Sequence, residues 1–417
     1  MFRIILRSVL PAVLLVVAAG ASAQLRLAGV TEAKGGGAVA GGNFRNGYQM
    51  AIQEINAAGG VLGQRIELTQ FDIDTKPEEA VQATTTAVAA KPFAVLGPVF
   101  SGLTAASMAV TAGPAIPQFT GGEATSLSRK FHPSLLRTSL TQAAAVPRLV
   151  SFAVRGLGLK KLAILYVDND FGRDGKVLLA HEITRRGGTV ALETAIKPGT
   201  TDFSKAVAEV RRAAPDALVL YVNEGEAPMA LKALRGQGFD RPVLGDGPLV
   251  SQGVLDAAGD AADGVLAHTG ISLDLPTASV QDFVRRYVAR YGTRPDHNSV
   301  KGWFAVQVIK AVCEQIGRID QAAFLARLKE QPLDSHKFPA LLSSASYDFF
   351  GDLNRDSYFV RVQGGKTTVL ATMRRTEGGM VELADGKLAI MGSSEFRAML
   401  AANGAATLAK VGRRPAR

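Results

Sequence analysis

The stretch from residue 93 to residue 122, FAVLGPVFSGLTAASMAVTAGPAIPQFTGG, contains two turns whose residue types are suited to binding an anion. An apolar run at 93–96 breaks at a Gly-Pro pair, and a helical pattern follows from Ser101. We expect Ser101 at the N-cap, where its hydroxyl and the unpaired N–H groups of the first turn can hold a carboxylate. A second apolar step ends in Thr120 and two glycines, which let a ligand approach the backbone. The two turns predict half of a binding cleft; the competing interpretation is an ordinary helix cap and an ordinary loop.

The elements that must position these turns alternate between strand and helix patterns. The first set has strands at 25–30, 64–72 and 93–96, and helices at 44–55, 77–90 and from 101 onward. A second set has strands at 162–167, 189–196, 217–222, 242–244 and 264–268, and helices at 141–156, 174–186, 201–212 and 227–237. Successive strand–helix steps imply parallel sheets covered on both faces, with ligands beyond the carboxyl ends of the strands. The sequence therefore predicts an α/β fold of two doubly wound parallel-sheet halves with a cleft between them.

After residue 270 the pattern changes to helices followed by short strands. Helices are predicted at 277–291, 298–316 and 321–329, and strands at 346–350, 358–362 and 367–371. From residue 373 the periodicity weakens, and we expect a C-terminal extension, 373–417, that is partly disordered.

Composition excludes several classes of function. The chain has 417 residues, 47% of them hydrophobic, which is enough for more than one core. Its basic residues are scattered without interleaved aromatics despite a net charge of +10, so we expect a solvated surface and no nucleic-acid partner. Cys313 is the only cysteine and lies in an apolar helical pattern, so we expect it to be buried and no internal disulfide to form. The five histidines are His132, His181, His268, His297 and His336. None of them is spaced from another histidine, an acid or the cysteine as a catalytic or metal-binding group would be, so we predict neither an enzyme nor a cofactor or metal site.

Residues 1–23 have the pattern of a cleavable signal peptide. Arg3 and Arg7 precede an apolar core, and a small-x-small site closes it at Ala21-Ser22-Ala23. We expect the mature chain to begin at Gln24, with its formal charge lowered from +10 to +8 by the loss of the two arginines. No cysteine stands at the cleavage point and no later stretch could span a bilayer, so an unanchored periplasmic protein is predicted.

Six segments in order resemble the periplasmic leucine/isoleucine/valine-binding proteins of ABC importers. They are EINAAGGVLG (54–63), FDIDTKPEEAV (71–81), AVLGPVFSG (94–102), AIPQFTGG (115–122), LAILYVDNDFGRDG (162–175) and TTDFSKAVAEVRRAAPDALVLY (200–221). The resemblance implies two lobes joined by three crossovers, which close on the ligand about a hinge. It implies a first lobe of 24–141 plus 271–350 and a second lobe of 142–270 plus 356–372.

The resemblance also implies which residues contact the ligand. In the family, the serine after the Gly-Pro turn binds the ligand's α-carboxylate, which implies Ser101, beside Phe100. The loop after the next strand supplies backbone contacts, here Thr120 and Gly122. An aromatic residue of the second lobe covers the ligand, and Phe171 stands where the family often has tyrosine.

The sequence departs from the family at the residue that would bind the ligand's ammonium group. Asp246 can serve with a shift of one residue from the usual glutamate, and Asn223 stands near an expected tyrosine. Glu224 and Glu226 are the alternatives for the ammonium contact.

The resemblance implies a non-catalytic, monomeric binding protein. It would capture a small amino acid, branched-chain or another aliphatic or aromatic amino acid or amide, and deliver it to an ABC permease in the inner membrane. The alternative is a ligand-sensing receptor component of the same fold that signals to a partner protein.

Overall fold

The computed structural model describes residues 24–130, 132–374, 380–383, 388–391, 393–400 and 402. The predicted signal peptide, 1–23, and the end of the predicted extension, 403–417, lie outside the described residues. Within the described part of the chain, no helix is both long enough and apolar enough to cross a bilayer.

The first sheet is built from the first five strands, all of them parallel. In chain order its elements are β1 (Leu25–Glu32), α1 (Ala38–Ala57), β2 (Ile66–Ile73), α2 (Pro77–Ala89), β3 (Ala94–Leu96), α3 (Ser101–Ala112), β4 (Gln118–Thr120), α4 (Ser126–Arg129) and β5 (Leu135–Arg137). The strand order is β2-β1-β3-β4-β5, so the order reverses at β1. A ligand is expected outside the carboxyl ends of strands at such a reversal, and the turn from β3 to α3 lies there.

The second sheet repeats this arrangement. Its elements are α5 (Gln142–Ser151), continued by a π-helical turn (Phe152–Gly156), β6 (Lys161–Val167), α6 (Asp170–Arg185), β7 (Thr189–Ile196), α7 (Ser204–Ala213), β8 (Ala217–Tyr221), α8 (Ala227–Gly236), β9 (Val243–Asp246), α9 (Gln252–Ala258) and β10 (Leu266–Thr269). Strand β6 pairs with both β7 and β8, so this sheet reverses at β6. The turns after β6 and β8 therefore flank its reversal point.

Helix α6 begins four residues earlier than the sequence predicts. The Asn169 side chain accepts a hydrogen bond of 3.0 Å from the Gly172 amide and so caps the helix at Asp170. The pattern analysis placed the start at 174 because the intervening residues contain no helical repeat of apolar side chains.

The chain then returns to the first sheet. Helices α10 (Ala278–Tyr291), α11 (His297–Ile316) and α12 (Gln321–Glu330) precede a two-stranded ladder of β11 (Ala345–Tyr347) and β12 (Leu353–Arg355). Helix α11 packs into the core of the first lobe, where its Trp303 and Phe304 side chains are buried. Cys313 is buried in the same core, as predicted, and burial raises the pKa of its thiol to about 12.

Helices α1 and α11 pack with their backbones in direct contact, because each carries a glycine where they meet. A Cβ atom on Gly47 would lie 1.9 Å from the carbonyl oxygen of Ser299. A Cβ atom on Gly302 would lie 1.9 Å from the carbonyl oxygen of Phe44. Neither position can accept a side chain unless the helices separate.

The last elements extend the second sheet. Strands β13 (Ser357–Gln363), β14 (Lys366–Met373), β15 (Met380–Leu383) and β16 (Leu388–Ile390) continue it in antiparallel order, and α13 (Ser394–Leu400) follows. The Phe396 ring lies 6.1 Å from that of Phe152, edge to face, over Gly156. The sequence analysis assigned no strand or helix to these segments, because strands of three and four residues are too short to show periodicity.

Two lobes result, and the chain passes between them three times. The crossings run from β5 to α5, from β10 to α10 and from β12 to β13. The first crossing lies beside β12, the strand that leads into the third crossing, since Leu140 pairs with Leu353 in a parallel bridge. The predicted fold of two doubly wound lobes joined by three crossovers is confirmed.

Candidate binding cleft

A cleft of about 530 Å3 separates the lobes at the carboxyl ends of both sheets. Its walls are the turns that follow β3, β6 and β8, together with the first turns of α11. The lining includes Phe100, Ser101, Gly102, Leu103 and Glu123 from the first lobe, Asn169, Phe171, Asn223, Glu224 and Glu226 from the second, and His297, Asn298 and Lys301 from α11.

The first wall is the N-terminus of α3. Phe100, not Ser101, is the cap residue, so the predicted N-cap is off by one position. The amides of Ser101, Gly102 and Leu103 occupy the first helical turn, where no carbonyl of the same helix can accept from them. These donors and the helix dipole make this wall favourable for an anion.

The side chain of Ser101 stabilises this wall from behind. Its Oγ accepts hydrogen bonds of 3.1 Å from the amides of Glu123 and Ala124, and the residue is 3% exposed. The Ser101 hydroxyl thereby joins α3 to the loop after β4, and its proton remains available for donation.

Replacing Ser101 by alanine is expected to lower the free energy of unfolding by about 1–3 kcal/mol, because the buried Ala124 amide and the partly buried Glu123 amide lose their acceptor. The measurement is the denaturant midpoint. The matched control is Ser107→Ala in the same helix, since the buried Ser107 Oγ has no hydrogen-bond partner among the described residues. Ser107→Ala should unfold near the wild-type midpoint, and equal midpoints for both variants would contradict this role of Ser101.

A buried carboxylate lies beneath the same turn. The Glu32 Oε1 atom accepts from the amides of Val99 at 3.1 Å and Phe100 at 2.8 Å. Burial raises the pKa of the Glu32 carboxyl, although these hydrogen bonds oppose the increase. Glu32 therefore accepts from the last two amides before α3, those of Val99 and Phe100. The amides in the first turn of α3 are not used by this carboxylate and can serve a ligand in the cleft.

Thr120 and Gly122 do not line the cleft. The Thr120 hydroxyl is buried against the Thr104 hydroxyl at 2.7 Å and the Pro98 carbonyl at 2.8 Å. The Gly122 amide donates to Thr120, and its carbonyl accepts from Arg137 at 2.7 Å. These polar groups hold the loop together, and only Gly121 and Glu123 of this loop reach the cleft.

The second wall comes from the turns after β6 and β8. Phe171 lines the cleft, and its ring stacks on Tyr221 with centroids 4.6 Å apart. Asn223 also lines the cleft, and its Oδ1 accepts from Asn169 Nδ2 at 2.8 Å. Asn169 thus caps α6 and orients Asn223, a double role that the sequence analysis missed.

Glu224 joins this wall to the first lobe. Its Oε1 atom accepts from Asn298 Nδ2 at 2.8 Å and lies 3.3 Å from His297 Nε2. Burial alone would raise the pKa of Glu224, but the neighbouring His297 and the charge of Lys301 outweigh it and lower the pKa to about 2. Glu224 therefore carries a negative charge in the cleft at neutral pH, beside the N-terminus of α11.

Asp246 lies behind the cleft instead of in it. Its Oδ1 accepts from the Gly247 amide at 2.9 Å and is 3.6 Å from His268 Nδ1, and the residue lines a separate, smaller cavity. Glu226 reaches the cleft, but its Oε1 accepts from the Gly199 amide at 2.8 Å, and burial raises its pKa. Of the three acids proposed for the ammonium contact, Glu224 is the one that combines a cleft position with a lowered pKa.

A buried ion pair forms the floor of the cleft. Lys301 Nζ donates to Glu123 Oε1 at 2.8 Å and to the Gly121 carbonyl at 3.3 Å. The sequence analysis missed Lys301, although it is the only lysine, arginine or acid in the otherwise uncharged run 297–309. A single charge within an apolar helix was the available signal. No group of side chains among the described residues could hold a metal ion.

Comparisons with known proteins agree with this architecture. The family model for periplasmic binding proteins matches residues 24–367. The Leu/Ile/Val-binding protein BraC3 of Rhizobium johnstonii is 25% identical over 342 residues, which cover 81% of this chain and 91% of the relative.

Two solved structures share the fold. The substrate-binding protein LivJ of Streptococcus pneumoniae, in complex with isoleucine, has a TM-score of 0.74 at 22% identity and covers 84% of this chain and 99% of its own. A solute-binding protein of an ABC transporter from R. palustris, in complex with benzoate, has a TM-score of 0.77 at 23% identity and covers 89% of this chain and 100% of its own. Periplasmic binding proteins are extracytoplasmic solute-binding proteins and not enzymes. The predicted resemblance is confirmed: this chain belongs to the periplasmic binding protein family.

Proposed function

We propose that this protein captures a small zwitterion, an amino acid or a related amide, between its lobes and delivers it to an ABC importer. The observation that carries the proposal is that one wall of the cleft favours a negatively charged group and the facing wall favours a positively charged group. Amides of the first turn of α3 line one wall, and the Glu224 carboxylate lines the other. The ligand's carboxylate would bind at Ser101 and its ammonium group at Glu224.

The proposed contacts are Phe100, Ser101, Phe171, Asn223 and Glu224. Phe171 and Phe100 supply apolar surface for the ligand side chain, and Asn223 supplies an amide held by Asn169. Thr120, Gly122 and Asp246 are not among the proposed contacts, because none of them lines the cleft.

Closure of the lobes would complete the site. We propose the boundaries 24–141 plus 271–350 and 142–270 plus 356–372 for the moving lobes, with the three crossings as the hinge. The lobes already touch across the cleft, since the Ser126 amide donates to Asp174 at 2.7 Å and Asn298 donates to Glu224. Binding by a monomer is expected, because each cleft is formed by one chain.

A second candidate is an aromatic carboxylate without an amine. The R. palustris protein described above was solved with benzoate, and two phenylalanines line the cleft of this chain. Such a ligand would use the α3 amides and the aromatic wall but would gain nothing from Glu224.

A thermal-shift screen of residues 24–417 separates the two candidates, because a ligand that binds only the folded state raises the melting temperature. The panel contains amino acids, their amides, benzoates, and amines lacking a carboxylate. We expect amino acids or amides to raise the melting temperature, with calorimetry to confirm a single site. Stabilisation by benzoates alone would replace the zwitterion with the second candidate, and silence across the panel would contradict both.

The thermal-shift screen does not separate import from sensing, because both roles would use the same cleft. We expect deletion of the gene to abolish uptake of the ligand found by the screen. Normal uptake with loss of a transcriptional or motility response to that ligand would favour the sensing role.

A further inference from the structure

The lining of the cleft has an excess of acidic side chains. Among the residues that the structure describes, three bases line it against six acids, which are Asp74, Glu123, Asp168, Asp170, Glu224 and Glu226. Burial raises the pKa of Glu226, and without that residue five acids still face three bases, with histidine counted as neutral. The whole sequence has the opposite balance, 47 lysines and arginines against 37 acids. The acidic lining is therefore a property of the cleft and does not follow from the composition.

The Glu224 carboxylate carries part of this excess inside the cleft. Lys301 is paired with Glu123 at 2.8 Å and forms no ion pair with Glu224. Within the described part of the chain, the group at ion-pair distance from Glu224 is the ring of His297. Asn298 turns its amide nitrogen to Glu224, and its Oδ1 atom is buried without a donor among the described residues. Two acceptors with no lysine or arginine partner therefore stand together, which favours a cationic ligand.

The rim of the cleft on the second lobe also has more acid than base. The Arg173 guanidinium is shared, with Nη1 2.9 Å from Asp168 Oδ1 and Nη2 2.9 Å from Asp170 Oδ1. Asp170 also stands beside the first turn of α3, since a Cβ atom on Gly102 would lie 3.2 Å from its Oδ2. The positive end of α3 is thus faced by a carboxylate of the protein, so it does not reverse the sign of the lining.

We propose that the solute of this cleft is an amino acid whose side chain ends in a cation, as in arginine, lysine or ornithine. This inference rests on the proposed function and narrows its substrate class. The ligand's α-carboxylate and α-ammonium group would bind as proposed above, and the side-chain cation would lie toward Asp168 and Asp170. An acidic cleft between low-dielectric walls attracts a ligand of net positive charge. A neutral amino acid would leave the excess negative charge of the lining uncompensated.

The cleft also has the room and the surface that a long side chain needs. Its volume of about 530 Å3 lies within the range of pockets that enclose ligands larger than a single short amino acid. Val99, Phe100, Leu103 and Phe171 supply apolar lining. The methylene groups of a long cationic side chain can pack on this surface while its charged end stays near the rim.

Two pairs of ligands isolate the effect of charge, because citrulline has the shape of arginine without its charge and norleucine lacks the side-chain ammonium of lysine. In calorimetry with wild-type residues 24–417, the charged member of at least one pair should bind about tenfold tighter or more. The ratio should shrink as sodium chloride is added, because salt screens the lining. Equal or tighter binding of both neutral members would overturn this inference and leave the proposed function in place. No binding of any amino acid or amide would contradict both.

Variants of opposite sign at the rim test the origin of the preference. Asp168→Asn should lower the affinity ratio of the charged to the neutral ligand by a few-fold, as expected for a partly exposed charge. Lys76→Gln, which removes a base from the lining, should raise the ratio. Asp240→Asn is the control, since its side chain is 86% exposed and does not line the cleft, and it should leave the ratio unchanged. Changes of the same sign in the two rim variants, or no change in either, would overturn the inference.

Discussion

Replacing Gly47 by alanine is expected to lower the free energy of unfolding by about 3 kcal/mol or more, because the new methyl group collides with a backbone atom. Its carbon would lie 1.9 Å from the Ser299 carbonyl oxygen, and this carbonyl belongs to the backbone of the first turn of α11 and cannot rotate away as a side chain can. Helices α1 and α11 must therefore separate and lose part of the core around Trp303. The measurement is the midpoint of urea unfolding followed by circular dichroism.

Gly42, in the same helix, is the matched control. A Cβ atom there would have no neighbour within 4 Å, and the residue is helical. Gly42→Ala should raise the free energy of unfolding by about 0.5–1 kcal/mol, because alanine loses less backbone entropy in a helix than glycine does. A wild-type midpoint for Gly47→Ala would show that α1 and α11 are not packed as described.

Replacing Glu224 by glutamine is expected to weaken binding of an amino acid by about 2–4 kcal/mol, because a buried ammonium group loses its charged partner. The substitution preserves shape and leaves an oxygen that can still accept from Asn298. The measurement is the calorimetric dissociation constant for the amino acid identified by the thermal-shift screen. Glu226→Gln is the matched control from the same turn, and its affinity should stay within a few-fold of the wild type. A large loss in Glu226→Gln with none in Glu224→Gln would assign the ammonium contact to Glu226.

Acid titration provides a second readout of Glu224→Gln. The pKa of Glu224 is lowered from its ordinary value of 4.5 to about 2 in the folded protein. Its contribution to stability is therefore fully present above pH 4.5 and is lost as the pH falls from 4.5 toward 2. The melting temperature of the wild type should fall more steeply across this range than that of Glu224→Gln, and parallel curves would contradict the charged state of Glu224.

Local patterns in the sequence were sufficient to predict the elements and the first wall of the cleft. The apolar run before Ser101 and the helical repeat after it lie within a few residues of each other, so neighbouring residues determine their structure. The position of Phe171 in the cleft, by contrast, was implied by the resemblance to the family and not by a local pattern.

Side-chain direction in the loops could not be predicted in the same way. Thr120 stands at the end of a strand, as predicted, but its hydroxyl turns toward Thr104 and Pro98, which approach it through the packing of α3 on the sheet. Asp246 likewise ends a strand, yet its carboxylate accepts from the Gly247 amide and does not line the cleft. A resemblance aligns such residues by position but does not determine which hydrogen bond each one makes.

Contacts between distant segments were beyond the sequence analysis. Glu224 meets Asn298 across 74 positions of the chain, and Lys301 meets Glu123 across 178. Neither pair shares a local motif. Their proximity follows from the return of the chain to the first lobe through α10 and α11.

That return also has a consequence for the order in which the protein folds. The strands from β6 to β10 and the helices between them are contiguous in the chain, so the core of the second lobe needs no segment from before α5 to form its parallel sheet. The first lobe cannot form from one contiguous segment in this way, because α1 packs on α11. The contact joins Gly47 of α1 to Ser299 of α11, which are more than 250 positions apart in the chain. During synthesis, the face of α1 that packs on α11 therefore stays uncovered until α11, which ends at residue 316, has been made. Nascent chains that stop before α11 should for that reason be the ones that recruit holding chaperones most strongly.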